Sequence, residues 1–165
     1  MKVLGSLARL CAILAGLLLV FITIMTVTSV IGRDFFGKAI NGDFELSGAA
    51  AGAAVALFMP WCQVRRGNII VDFFTSGASS ARQNQMDRLG AFLLALVMGL
   101  MTWRTSLGGL NAWNTQSGTM MLGFPEWIVY AFMVPPLALC AVIGLHQAVF
   151  GFVQDTTEEN PELAV

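Results

Sequence analysis

Of 165 residues, 56% are hydrophobic and only 12% are charged, and the mean hydropathy is +0.73. Soluble domains carry about 25% charged residues, so this composition excludes an ordinary water-soluble domain and places the chain in a bilayer. A net charge of −1 argues against nucleic-acid binding, and a single histidine, His146, without Cys/His company leaves no metal site to propose.

Lys2 and Arg9 precede 23 uncharged residues, Leu10 to Gly32. About 20 apolar residues cross a hydrocarbon core, so this run is read as a first span entering from the cytoplasm. A cleaved signal peptide would show an apolar region of about 7–15 residues before an A-x-A-like site. This run is longer and ends TSVIGRD. Thr23, Thr26 and Ser29 stripe one side of it, a pattern that ordinarily satisfies packing. Arg33 to Glu45 follows as a first outer loop, with turn signals at Gly37 and Asn41-Gly42. Its charged residues, Arg33, Asp34, Lys38 and Asp43 with Glu45, are either plainly solvated or a docking surface for an extracytoplasmic protein.

Leu46 to Val64 is a second span of 19 uncharged residues. Gly48, Gly52 and Ala56 recur every fourth residue, and small residues at that spacing let two helix backbones approach closely in lipid. This helix is expected at the centre of a bundle or at an interface, with Pro60 and Trp61 at its inner end.

Between Pro60 and Arg88 lie four arginines, Arg65, Arg66, Arg82 and Arg88, against Asp72 and Asp87. Lipid cannot hold that charge density, and excess Lys/Arg in a short loop marks the cytoplasmic face. Ile69, Ile70, Phe73 and Phe74 share one helical face, which predicts a short amphipathic helix lying flat at the membrane surface. Ser80, three residues before Gln83, has capping-box spacing and predicts a fresh helix start. The third span is expected from near Leu89, with Arg104 at the outer interface beside Trp103 and a polar outer loop over Ser106 to Gly123.

Phe124-Pro125-Glu126-Trp127 opens the fourth span, since proline suits the first helical position and glutamate the positive end of the dipole. Apolar sequence continues to Val153, with a kink expected at Pro135-Pro136. Six Lys/Arg residues inside (Lys2, Arg9, Arg65, Arg66, Arg82, Arg88) stand against three outside (Arg33, Lys38, Arg104). The expectation is an all-α membrane protein of four transmembrane helices, N-in/C-in, with an amphipathic cytoplasmic interfacial helix between spans two and three. Residues 1–153 form one transmembrane domain, and 154–165 an acidic cytoplasmic tail expected to be disordered. Cys11, Cys62 and Cys140 fall within or at the end of apolar runs, and no disulfide is expected among them.

Three stretches resemble the small membrane subunit of tripartite ATP-independent periplasmic (TRAP) transporters, the DctQ-like family. Glu45-Leu46-Ser47 opens span two as an acidic residue does in that family. Arg65-Arg66-Gly67-Asn68-Ile69-Ile70-Val71-Asp72 is similar to its arginine–glycine–histidine–x–x–valine–aspartate segment, with Asn68 where many members have histidine. Gly123-Phe124-Pro125-Glu126-Trp127-Ile128-Val129-Tyr130, then Pro135, is similar to its opening of span four. The resemblance covers about residues 8–153 and departs from the family in an Ala/Gly run where early span two usually has Trp and Phe.

The resemblance implies a non-catalytic, multi-pass subunit of the bacterial inner membrane, without a cofactor. Its implied partners are a large membrane subunit holding the substrate and sodium sites, and a periplasmic substrate-binding protein delivering an organic acid. Arg33, Asp34, Lys38 and Asp43 are then candidates for binding-protein docking. Arg65, Arg66, Ile69 and Phe73 are candidates for contact with membrane lipid or the large subunit, and Gly48, Gly52 and Ala56 for helix packing. The residues themselves agree that no Asp, Glu, Lys or Arg is expected mid-span, where coupled transport needs polar groups. The alternative is a self-sufficient small four-helix exporter acting as a dimer. It needs a membrane-embedded glutamate, and Glu45, the sole candidate, lies at a span end. A membrane enzyme would need clustered His, Asp, Glu or Ser in the loops, and none is present.

Overall fold

The computed structural model describes residues 2–38, 40–65 and 80–151, with side chains at all of these except 2 and 80–84. Four helices account for nearly all of them: α1 (Lys2–Phe36), α2 (Asp43–Val64), α3 (Ser80–Thr115) and α4 (Glu126–Phe150). Each contains a stretch long and apolar enough to cross a membrane, as the hydropathy pattern predicts. The expected interfacial helix at 69–74 and the tail at 154–165 lie outside the described residues.

The helices form a row. α1 packs on α2, α2 on α4 and α4 on α3, giving the spatial order α1–α2–α4–α3. α1 touches α4 only lightly, and α1 and α3 stand at opposite edges. Burial follows the order. The central helices carry Ala53, Ala54, Leu57 and Pro60 on α2 and Pro136, Leu137, Cys140 and Ile143 on α4 as buried residues. The edge helices leave large apolar side chains exposed, Leu17 and Ile24 on α1, Leu100 and Leu110 on α3. Water would make such edges untenable, whereas lipid tails solvate them without penalty.

Small residues set the seams. On α3, Ala91 and Ala95 face Gly144 of α4, where an added Cβ would stand 3.1 Å from the Ala95 Cβ and 3.2 Å from the Ala91 carbonyl oxygen. Higher on the same seam, Tyr130 lies over Gly108 and Gly109, and Trp113 meets Trp127 edge to face with centroids 4.8 Å apart. Between α2 and α4 the seam ends in a polar clasp. The Gln63 side chain donates to Gln147 Oε1 at 2.7 Å, and Gln147 Nε2 donates to the Gln63 carbonyl at 3.1 Å. Both glutamines are buried, and in lipid an amide needs such partners.

Several expectations need correction. The stretch Ser106–Thr115 is helix rather than loop, so α3 runs eleven residues past Arg104. Its Gly, Asn, Thr and Ser content reads as loop chemistry, but the glycine pair serves the close approach of Tyr130, and tertiary packing overrides local preference. Arg104 therefore stands eleven residues short of the helix end, where a loop was expected to begin two residues after it. The first connection is also shorter than expected. Arg33 and Asp34 occupy the last turn of α1, and Asp43 and Glu45 the first turn of α2. Pro125 caps α4 from outside, one position earlier than its expected place, and α4 continues unbroken through Pro135 and Pro136.

Candidate functional site

The two described connections, 37–42 and 116–125, meet at one end of the row and are bonded into a single platform. Gly37 closes α1 at φ +65°, a left-handed conformation that L side chains rarely adopt, and its N–H donates to the Arg33 carbonyl at 3.1 Å. Ser29, two turns before the end of α1, receives the Ile40 N–H at 3.2 Å and donates its own hydroxyl to the Asp43 carboxylate. That carboxylate also accepts the Phe44 N–H at 2.7 Å. Thus the first connection is clamped across its base. Of the polar stripe, Thr23 bonds back to the Leu19 carbonyl at 2.8 Å, Thr26 lies 3.5 Å from the Ser47 hydroxyl, and only Ser29 is buried.

The second connection folds as a small hairpin, with Gly118 bridged to Pro125. Thr119 holds it twice: its N–H donates to the Phe124 carbonyl at 3.0 Å, and its hydroxyl accepts the Phe124 N–H at 3.2 Å. Glu45 then fastens this hairpin to α2. Its carboxylate accepts the Met121 N–H at 3.0 Å and the Leu122 N–H at 3.4 Å. Successive backbone N–H groups around an anion make a natural cradle for negative charge. Leu122 completes the joint by lying over Gly42, where a Cβ would fall 2.3 Å from the leucine Cγ. Gly42 also has φ +75°, so a side chain there is excluded twice.

Of the four charged docking candidates, Arg33, Asp34 and Lys38 are exposed on this platform. Asp43 is half-buried and already engaged by Ser29 and Phe44, so its carboxylate holds the joint. The platform also displays apolar side chains that charge-based reasoning passed over: Phe35, Phe36, Phe44 and Met121 are strongly exposed, and Met120 at the hairpin tip is fully so.

At the opposite end, the Arg65 guanidinium sits 5.0 Å from the Trp61 ring centroid, a cation–π contact at helix termination. Arg88 donates to the Val149 carbonyl at 2.8 Å, near the end of α4. Arg66, Ile69 and Phe73 lie outside the described residues.

The packing candidates divide. Ala56 is buried, but a methyl added at Gly48 or Gly52 would meet nothing within 4 Å. Gly48 belongs to an exposed stripe on α2 with Phe44, Ala51, Val55 and Phe58, spaced alternately four and three residues apart. The tight glycine contact that sequence reasoning missed is Gly144. Its signal was present as Cys140-x-x-x-Gly144-x-x-x-Ala148 opposite Ala91-x-x-x-Ala95.

A family model described as tripartite ATP-independent periplasmic transporters, DctQ component, matches residues 22–154. The chain belongs to the DctQ family. The match takes in the second half of α1 and all of α2, α3 and α4, so the platform and every seam described above fall within the DctQ region. No curated protein and no solved structure matches the chain. As a DctQ component with four apolar helices, it is a multi-pass membrane protein and one part of a tripartite transporter, which implies a large membrane subunit and a binding protein as partners.

Proposed function

We propose that this DctQ-family chain is the small, non-catalytic subunit of a TRAP-type secondary transporter in the bacterial inner membrane. It braces the large transport subunit and helps seat the periplasmic binding protein during sodium-coupled uptake of an organic acid. The observation that carries the reading is the family match across a chain whose helices stand in an open row. Such a row offers broad faces to another subunit. With Arg104 left aside, six Lys/Arg residues on the inner side against two on the outer support both termini inside, which turns the two-loop platform toward the periplasm. There Arg33, Asp34 and Lys38 steer the incoming binding protein chiefly through its on-rate, with Asp43 holding the joint beneath them. At the inner surface Arg65 and Arg66 contact anionic lipid or the large subunit, each worth about 1 kcal/mol, while Ile69 and Phe73 anchor the connecting segment.

Reconstitution tests the whole reading. The purified chain alone in liposomes is expected to show no sodium-driven uptake of any carboxylate, and addition of the large subunit and a binding protein to restore it. Robust uptake by the chain alone would replace the scaffold reading with the small-exporter one.

The open α2 stripe yields a separate expectation. Gly48→Leu adds its side chain on that exposed stripe, where a Cβ meets nothing within 4 Å, and should leave the chain's own unfolding transition unchanged. Against a closely approaching helix of the large subunit the same side chain has none. Capture of that subunit should fall by about tenfold, equivalent to roughly 1.4 kcal/mol of lost contact. Full capture by the variant would place the large subunit elsewhere on the row.

A further inference from the structure

Arg104 is exposed on α3 and has no hydrogen bond or ion pair among the described residues. Its depth follows from how α3 pairs with α4. Arg88 bonds Val149 at one end of the seam, and Trp113 meets Trp127 at the other. Arg104 lies sixteen residues from Arg88 and nine from Trp113, roughly 24 Å and 14 Å at the helical rise. A hydrocarbon core of about 30 Å, centred on that length of roughly 38 Å, leaves about 4 Å beyond it at each end. The Arg104 backbone is then about 10 Å inside the nearer face, beyond the reach of a stem five bonds long, on the order of 6 Å.

Intramembrane arginines almost always face a bundle interior or pair with another group. This one does neither among the described residues. It stands in a row of exposed residues at helical spacing, Leu93, Val97, Leu100, Arg104 and Leu107. That row lies on an edge helix which shares a packed seam with α4 alone among the described helices. A cation at this depth selects its neighbour: lipid tails cannot solvate it, whereas a helix bearing a carboxylate can.

We propose that the Arg104 edge of α3 is a seam for a helix of the large membrane subunit, which presents a carboxylate to this guanidinium within the bilayer. The proposal rests on the reading of the chain as one component of a transporter with a large membrane subunit. It makes Arg104 an assembly determinant and gives the edge of the row, not only its α2 face, a partner.

The test co-expresses the tagged chain with the large subunit and measures recovery of the pair in mild detergent. Arg104→Leu is expected to lower recovery of the large subunit about tenfold at unchanged recovery of the chain itself, and Arg104→Lys to retain most of it. A second measurement keeps Arg104 intact. Spin labels on Leu100→Cys and Leu107→Cys should lose several-fold in collision rate with lipid-dissolved oxygen when the large subunit is added. If the unaltered chain captures no large subunit, this proposal and the functional reading fall together. Equal capture by the unaltered and Arg104→Leu chains, with both labels equally accessible to oxygen in either state, overturns this proposal alone and returns Arg104 to a lipid phosphate.

Discussion

Gly144→Leu should part α3 from α4 and cost the chain about 3 kcal/mol of stability, at the upper end for overpacking a tight seam. A Cβ at this position already falls 3.1 Å from the Ala95 Cβ and 3.2 Å from the Ala91 carbonyl oxygen. Neither neighbour is the far end of a flexible side chain, so relief requires the helices themselves to move. In lipid the loss is felt fully, since close backbone contact is what holds helices together there. Unfolding by a denaturing detergent in mixed micelles measures it. Gly90→Leu is the matched control on α3, because a Cβ there meets nothing within 4 Å and should change stability by less than about 0.5 kcal/mol. Equal midpoints for the two variants would show that α3 is not seated on α4 through Gly144.

Glu45→Ala should release the hairpin from α2. The Met121 and Leu122 N–H groups would lose their carboxylate partner, leaving Leu122 over Gly42 as the remaining joint. Amide hydrogen exchange at Met121 and Leu122 is expected to rise about tenfold or more, with the helix interiors unaffected, because such local openings are independent of the global one. Glu45→Gln keeps one acceptor oxygen and should fall between. If the platform seats the binding protein, uptake in reconstituted vesicles should weaken most at low binding-protein concentration. Unchanged exchange at both amides would mean that the Thr119 bonds and the Gly118–Pro125 bridge suffice without Glu45.

Much of this molecule was legible because its information is local. Four runs of apolar sequence give four helices, Asn41-Gly42 gives a tight connection, and Pro125-Glu126 opens α4 within one residue of its expected place. Arg33, Asp34, Lys38 and Asp43 do fall at one end of the row, but the engagement of Asp43 by Ser29 was not legible. Whether a carboxylate is free or spoken for depends on Ser29, fourteen residues away, and a one-dimensional pattern does not carry that distance.

Sequence by itself determined the class of environment, the number of spans and the family, since hydropathy, charge bias and short motifs are properties of contiguous residues. Only the tertiary structure decided which helix touches which. In water the apolar face of a helix announces its partner, but in a bilayer every face is apolar and the pattern is silent. The order α1–α2–α4–α3, the choice of Gly144 over Gly52 as the tight intrachain contact, and the extension of α3 past Arg104 all come from how backbones fit against one another. Close packing distinguishes these arrangements by shape, and shape is complete only when all four helices are in place.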